Sequence, residues 1–208
     1  MADRYALVVD STNNNIKEIP AADRLVADNL LLSGTTPTLT IGDAGAEDTK
    51  IVFDGNAQDF HIGLDDSADD LVIGLGSAVG TTPAIHIDEN QVVKFDAGIQ
   101  EESTALTSGT TVALDLNLGT VFTLTLAHNL GTFNWTNPAA SGYASSFVLK
   151  VKQDGTGSRT ISWPAAVDWA AATAPTISTS ANAVDVFAFF TVDGGTIWYG
   201  FTPGIGMA

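Results

Sequence analysis

The chain has no cysteine in 208 residues, which excludes disulfides, thiolate metal sites and a cysteine nucleophile together. Its rigidity must come from packing and from association between chains. Bases are scarce: 8 Lys and Arg stand against 24 Asp and Glu, a formal net charge of −16. So acidic a chain repels polyphosphate at long range, and no direct nucleic-acid partner is expected. No apolar run approaches the roughly 18 residues of a membrane-spanning helix. The opening MADRYALVVDSTNNN is polar and acidic, so neither a secretory leader nor a membrane partner is expected.

Catalytic signatures are missing too. There is no nucleophile elbow, no HExxH motif and no phosphate loop. GLGSAVG at 74–80 has the wrong glycine spacing for a dinucleotide loop, and no helical pattern follows it. His61, His86 and His128 lack metal-ligand spacing, and Asp65, Asp66, Asp69 and Asp70 lack the alternation of an EF-hand. Glycoside hydrolysis needs two carboxyl groups about 5–9.5 Å apart on a sugar-binding face. The C-terminal half offers only Asp115, Asp154, Asp168, Asp185 and Asp193, several of them in expected turns. The chain is therefore not expected to be an enzyme, and no cofactor or metal is assigned to it.

What the chain does have is a repeated phrase. LTIGD, IVFDG, FHIGLDD, LVIGL, IHIDE and VVKFD recur between Leu39 and Asp96, each a short alternating run stopped by Gly or an acid. With Ile41, Phe53, Ile62, Ile73, Ile87 and Phe95 as equivalents, the spacings are 12, 9, 11, 14 and 8 residues. Apolar pairs two apart, such as Ile51 and Phe53, Phe60 and Ile62, or Ile85 and Ile87, share one strand face. The histidines beside them, His61 and His86, point to the other face. Strands this short cannot bury a core within one chain, and their edges invite pairing. Three chains wound together resolve both problems, so a homotrimer is expected. Its core is assigned to Ile41, Ile51, Phe53, Phe60, Ile62, Ile73, Ile85, Ile87 and Phe95.

Composition divides the chain. Residues 1–103 hold 19 of the acids and 5 of the bases, against 5 acids and 3 bases in 104–208. Three regions follow: an N-terminal attachment segment (1–34), a repetitive β shaft with its linker (35–103) and a C-terminal knob (104–208). In the first, a hairpin is expected over 4–19, with Tyr5, Leu7, Val9, Ile16 and Ile19 as the attachment surface; residues 20–34 suit a short helix or an extended run. In the last, strands are expected at 110–116, 121–127, 132–136, 146–152, 159–163, 184–192 and 196–201. Asp154–Gly157 and Asp193–Gly195 supply turns. Arg159 is placed to bond the turn carbonyls or pair with Asp154. Phe187, Phe189, Trp198 and Phe201 are assigned to the core. The expected fold is all-β: a short intertwined trimeric β-helix or β-prism shaft, then a C-terminal β-sandwich of jelly-roll type.

The run QDGTGSRTISWP at 153–164, with APTIST at 174–179, VDVFAFFTVDGG at 184–195 and IWYGF at 197–201, resembles a domain found at the ends of structural proteins of tailed bacteriophages. The repeats upstream are similar in style to the intertwined shafts of phage fibre, spike and head-decoration proteins. The resemblance implies a virion structural protein. One form is a trimeric capsid decoration (cement) or head-fibre protein that clamps the major capsid protein from the capsid surface. The alternative is a tail fibre or tail-tip receptor-binding protein that docks on tail proteins and meets a host glycan or protein. Trp135, Tyr143 and Trp169 are the candidate glycan-facing aromatics.

Overall fold

A computed structural model of the protein describes residues 7–10, 15–18 and 28–207. The chain divides into two compact units, Met1–Ala97 and Gly98–Ala208. In the first, β1 (Leu7–Asp10) and β2 (Asn15–Glu18) pair antiparallel with Leu7 opposite Glu18, inside the span expected to be a hairpin.

Five of the six repeated phrases become strands: β3 (Thr49–Phe53), β4 (Phe60–Asp65), β5 (Asp70–Leu75), β6 (Pro83–Ile87) and β7 (Val93–Phe95). They lie in chain order in one antiparallel sheet. The first phrase, Leu39–Asp43, is not a strand, and residues 28–48 contain none. It ends at Gly42, whose φ of +96° breaks an extended run. Five strands at about 4.8 Å make the sheet roughly 19 Å wide. The links are built by the acids between the phrases. Asp65 accepts from the Ser67 backbone N–H (3.1 Å) and hydroxyl (2.7 Å), and Asp88 accepts from the N–H groups of Asn90 and Val92, both at 2.9 Å. These carboxylates stand in for missing backbone partners in tight turns.

The second unit is a two-layer β structure. Its strands are β8 (Ser103–Leu106), β9 (Thr111–Asp115), β10 (Val121–Leu126), β11 (Thr132–Thr136), β12 (Ser145–Gln153), β13 (Val167–Trp169), β14 (Val184–Thr191) and β15 (Trp198–Met207). One sheet has the order β13-β15-β14-β12-β10-β8, and β9 with β11 forms a second. From β8 to β12 the chain alternates between the sheets, so strands two apart in sequence are neighbours and pair parallel. The long β14–β15 pair then adds antiparallel strands. Between the layers lie Val112, Leu114, Phe122, Leu124, Leu126, Phe133, Phe147, Leu149, Val151, Phe187, Phe189 and Trp198. Alternation in β12 and β14 is strict, buried on one side and exposed (β12) or half-buried (β14) on the other, as period-two patterning requires.

Three expectations are corrected here. Residues 159–163 are not a strand; only Ile161 forms a bridge, with Leu130. Strand β8 starts at Ser103, the last residue of the region expected to hold the shaft and its linker. Phe201 is not in the core: it projects from the outer face, 52% exposed. Trp198 is buried, and Phe201 stands an odd number of residues from it, so alternation turns it outward.

The QDGTGSR segment is held from below and from its side. Gln153, almost fully buried, donates to the carbonyls of Arg159 (2.9 Å) and Ser178 (2.8 Å) and accepts from the Arg159 N–H (2.9 Å). Of the two roles open to Arg159, the carboxylate wins: its Nε and Nη2 donate to Asp154 Oδ2 at 3.0 and 2.8 Å. Asp154 Oδ1 also accepts from the N–H groups of Thr156 and Gly157.

Candidate functional site

Two surfaces stand out, one on each unit. On the first unit, register aligns the apolar residues of the meander into rows. Ile51, Ile62, Ile73, Ile85 and Phe95 form one row across all five strands. Phe53, Phe60 and Leu75 form a second, and Leu64, Leu71, Ile87 and Val93 a third. All but the half-buried Ile85 and Ile87 are exposed in the single chain. Leu64, Leu71, Leu75 and Val93 were not among the expected core residues, although period two from their neighbours points to them. Ile41 is exposed but stands outside the sheet.

The reverse face is covered at its centre, while Val52 and Lys50 on its edge strand are exposed. His61 and Val72 are fully buried there, with Val79 over them. The segment 76–82 is fixed by Lys50 Nζ donating to the Ser77 carbonyl (2.5 Å) and by Leu75 N–H donating to the Thr82 carbonyl (2.9 Å). Gly63 and Gly74 are needed for this closeness. A Cβ on Gly74 would stand 2.8 Å from His61 Cε1, and one on Gly63 would stand 2.9 Å from a Val79 methyl. His61 Nδ1 bonds the Gly76 carbonyl at 2.9 Å, while buried Nε2 has no partner. His86 lies between Asp70 (3.0 Å) and Asp96 (2.6 Å). Both histidines thus sit opposite the isoleucine rows. The sheet is inverted at its centre: on β4 and β5 the small and polar side is packed and the large apolar side is open.

Of the attachment residues, Leu7 and Val9 fall on β1 and Ile16 on β2; Tyr5 and Ile19 lie outside the described residues.

On the second unit, the three aromatics proposed from sequence separate. Tyr143 is 72% exposed. Trp169 is buried, with its ring over Gly200, where an added Cβ would meet it at 2.8 Å. Trp135 is half-buried and packs edge-on against Phe147 and Trp198, at centroid distances of 5.0 and 5.3 Å; its indole N–H has no partner. The large sheet's outer face instead carries aromatics that sequence reasoning missed. Phe190 stacks on Tyr199 (5.1 Å, 29°) and on Phe201 (6.0 Å, 16°). Tyr199 pairs in register with Asp168 on β13 and with Phe190 on β14. A hollow of about 230 Å³ opens beside them, lined by Asp168, Trp169, Ala170, Tyr199, Gly200 and Phe201. Alternation from buried Trp198 was the signal that could have found Tyr199 and Phe201.

Several carboxylates titrate below their ordinary range, each through bonds to the ionised form. For Asp154 the main cause is the Arg159 side chain, followed by the Gly157 N–H. For Asp115 it is the Asn137 side chain and then the Asn117 N–H. For Asp193 it is the Ile197 N–H and then the Thr191 hydroxyl. Asp88 is lowered by the Val92 N–H and by Lys94, whose ammonium is raised in return. All four are bound into turns. Among the described residues no group of three or more His, Asp or Glu is placed to hold a metal ion.

A family model described as "Putative phage tail fibre C-terminal domain" matches residues 106–196. The second unit is similar to a phage tail-fibre domain. The match starts on β8 and ends before β15, so it takes in the alternating strands, the QDGTGSR turn and β14. It bears out the resemblance to structural proteins of tailed bacteriophages and points to the virion. The family to which this tail-fibre-like domain is similar is structural rather than catalytic. No curated protein and no solved structure matches the chain.

Proposed function

We propose that the chain is a homotrimeric tail-fibre or tail-tip protein, in which residues 35–103 form the three-chain shaft and the tail-fibre-like domain is displayed to a host surface. The observation that carries the trimer is the open apolar face of the meander. Fully burying one large apolar side chain is worth about 1.5–3 kcal/mol, so burying the open half of ten such residues yields on the order of 10 kcal/mol per chain. Monomeric soluble proteins rarely leave so continuous an apolar face in water. Three copies turning these faces toward a common axis would enclose the isoleucine rows and leave the acidic links outside. Residues 1–34 would then attach the trimer to the tail.

The match favours the tail over the capsid, because the family it names is a tail-fibre one; nothing in it supports the decoration reading. Two measurements test the proposal. Sedimentation of the full chain should give three times the monomer mass, and a monomer at micromolar concentration would sink the shaft. Antibody labelling of particles should mark tails in a few dozen copies or fewer. Labelling over the head in hundreds of copies would restore the capsid.

A further inference from the structure

We propose that the hollow beside Tyr199 and Phe201 is a binding site for a neutral pyranose of a host surface polysaccharide. This rests on the receptor-binding reading above and gives that reading a site and a ligand class.

The hollow combines the two elements that sugar recognition needs. A pyranose ring has an apolar face of C–H groups and a rim of hydroxyls, so its site needs a flat apolar wall and directed acceptors. Tyr199 and Phe201 supply the walls. Phe190 stacks against both, at 5.1 and 6.0 Å, and braces their rings. Alternation on β15 places Tyr199 and Phe201 on the outer face, while Trp198 between the layers anchors the strand. Gly200 and Trp169, packed against each other, form its floor.

The acceptor is Asp168. It lies in register beside Tyr199 on the neighbouring parallel strand and lines the same hollow. Among the described residues no base pairs with it. It is therefore available to take hydrogen bonds from two vicinal hydroxyls, with the Tyr199 hydroxyl as a further donor or acceptor. The same carboxylate sets the charge of the ligand. Residues 104–208 carry 5 acids against 3 bases, and with a carboxylate in the site itself uronic and sialic acids are repelled. Neutral hexoses fit. The aromatic walls lie beyond residue 196, outside the segment that matches the tail-fibre family, whereas Asp168 and Trp169 lie inside it.

The test uses the full chain passed over beads bearing a neutral glucan, a neutral galactan or a polyuronate, with the mass of each variant measured alongside. Retention is expected on at least one neutral polysaccharide and not on the polyuronate. Tyr199→Ala, Phe201→Ala and Asp168→Asn should each weaken it by about tenfold with mass unchanged. Tyr199→Phe, which keeps the ring, should retain most of the binding. Should an alanine variant misfold, the wild-type protein carries the test alone, because Trp169 in the floor should change its emission on titration with methyl glycosides. Three results overturn the proposal: no retention and no emission change with any neutral sugar; retention on polyuronate alone; or loss of the oligomer in Phe201→Ala, which makes this face a contact between chains. A trimer indifferent to neutral sugars ends the sugar site and leaves the tail-fibre reading standing. A monomer that binds them does the reverse.

Discussion

Ile62 and Ile73 stand directly opposite each other on β4 and β5, 38% and 39% exposed, on the side of the sheet that no described part of their unit covers. A cross-strand pair of β-branched residues stabilises a sheet when something lies over it. In the proposed trimer that cover comes from other chains. Ile62→Asp should therefore shift the full chain from trimer to monomer in sedimentation at micromolar concentration, since three carboxylates would be buried at one axis. Ile73→Asp should do the same. Lys94→Asp, on a side chain that points to the reverse face, should leave the mass unchanged. An unaltered trimer in both isoleucine variants would refute the packed-face arrangement.

Fragments should divide in the same way. The core of the second unit is contained within residues 106–198, so residues 98–208 should be soluble and melt cooperatively as a monomer. Residues 1–97 should be trimeric or aggregated. Sedimentation of the two fragments checks this, and a well-folded monomer of the first would contradict it.

Gly74 lies under the His61 ring, and a methyl group there would also stand 2.8 Å from the Thr82 carbonyl. Gly74→Ala should cost about 1–3 kcal/mol, read as a lower melting temperature of the assembled chain. His61→Ala in the same background should recover only part of the loss, because the carbonyl clash remains.

Gln153 satisfies three backbone groups of two loops from a buried position. Gln153→Leu keeps the volume but strands them, so about 2–4 kcal/mol should be lost in urea unfolding. A change below about 0.5 kcal/mol would mean that water replaces the amide.

Acid should weaken the tail-fibre-like domain through Asp154, Asp115 and Asp193. All three have folded pKa values below the unfolded value of about 3.9. A lowered pKa contributes stability that is fully present above the unfolded value and is lost as pH falls through the folded one. The melting temperature should thus be flat from pH 5 to 7 and drop below about pH 4. Asp154→Asn should lower it at pH 6 and flatten the acid limb. An equal drop in wild type and variant below pH 4 would assign the acid sensitivity elsewhere.

Much of this was readable from residue order, and what escaped has identifiable causes. The alternation of VDVFAFF and FVLKVKQ gave β14 and β12, because one side of each strand faces a core. The repeated phrases gave β3 to β7, and their two-residue spacing gave a common face. Which row each residue joins was not readable. Phe53 lies opposite Phe60 and Ile87 opposite Leu71, both two residues from the expected alignment, because link lengths set register. RTISW alternates like a strand, yet Gln153 and the Leu130 bridge hold it as a loop. For the expected glycan-facing positions the sequence offered a choice of aromatics without saying which were buried. Trp169 is inside because Gly200 leaves room for its ring, a relation between residues 31 positions apart that no local pattern records.

The alternation of Trp198, Tyr199 and Phe201 along β15 ties the interior of the domain to its exterior on a single strand. Substitutions at the outward residues can change what that side meets while Trp198 keeps its place. Inserting or deleting one residue between Trp198 and Phe201 would exchange inside for outside within that segment. The outer side of this segment is thus open to replacement as long as the spacing from Trp198 to Phe201 is kept.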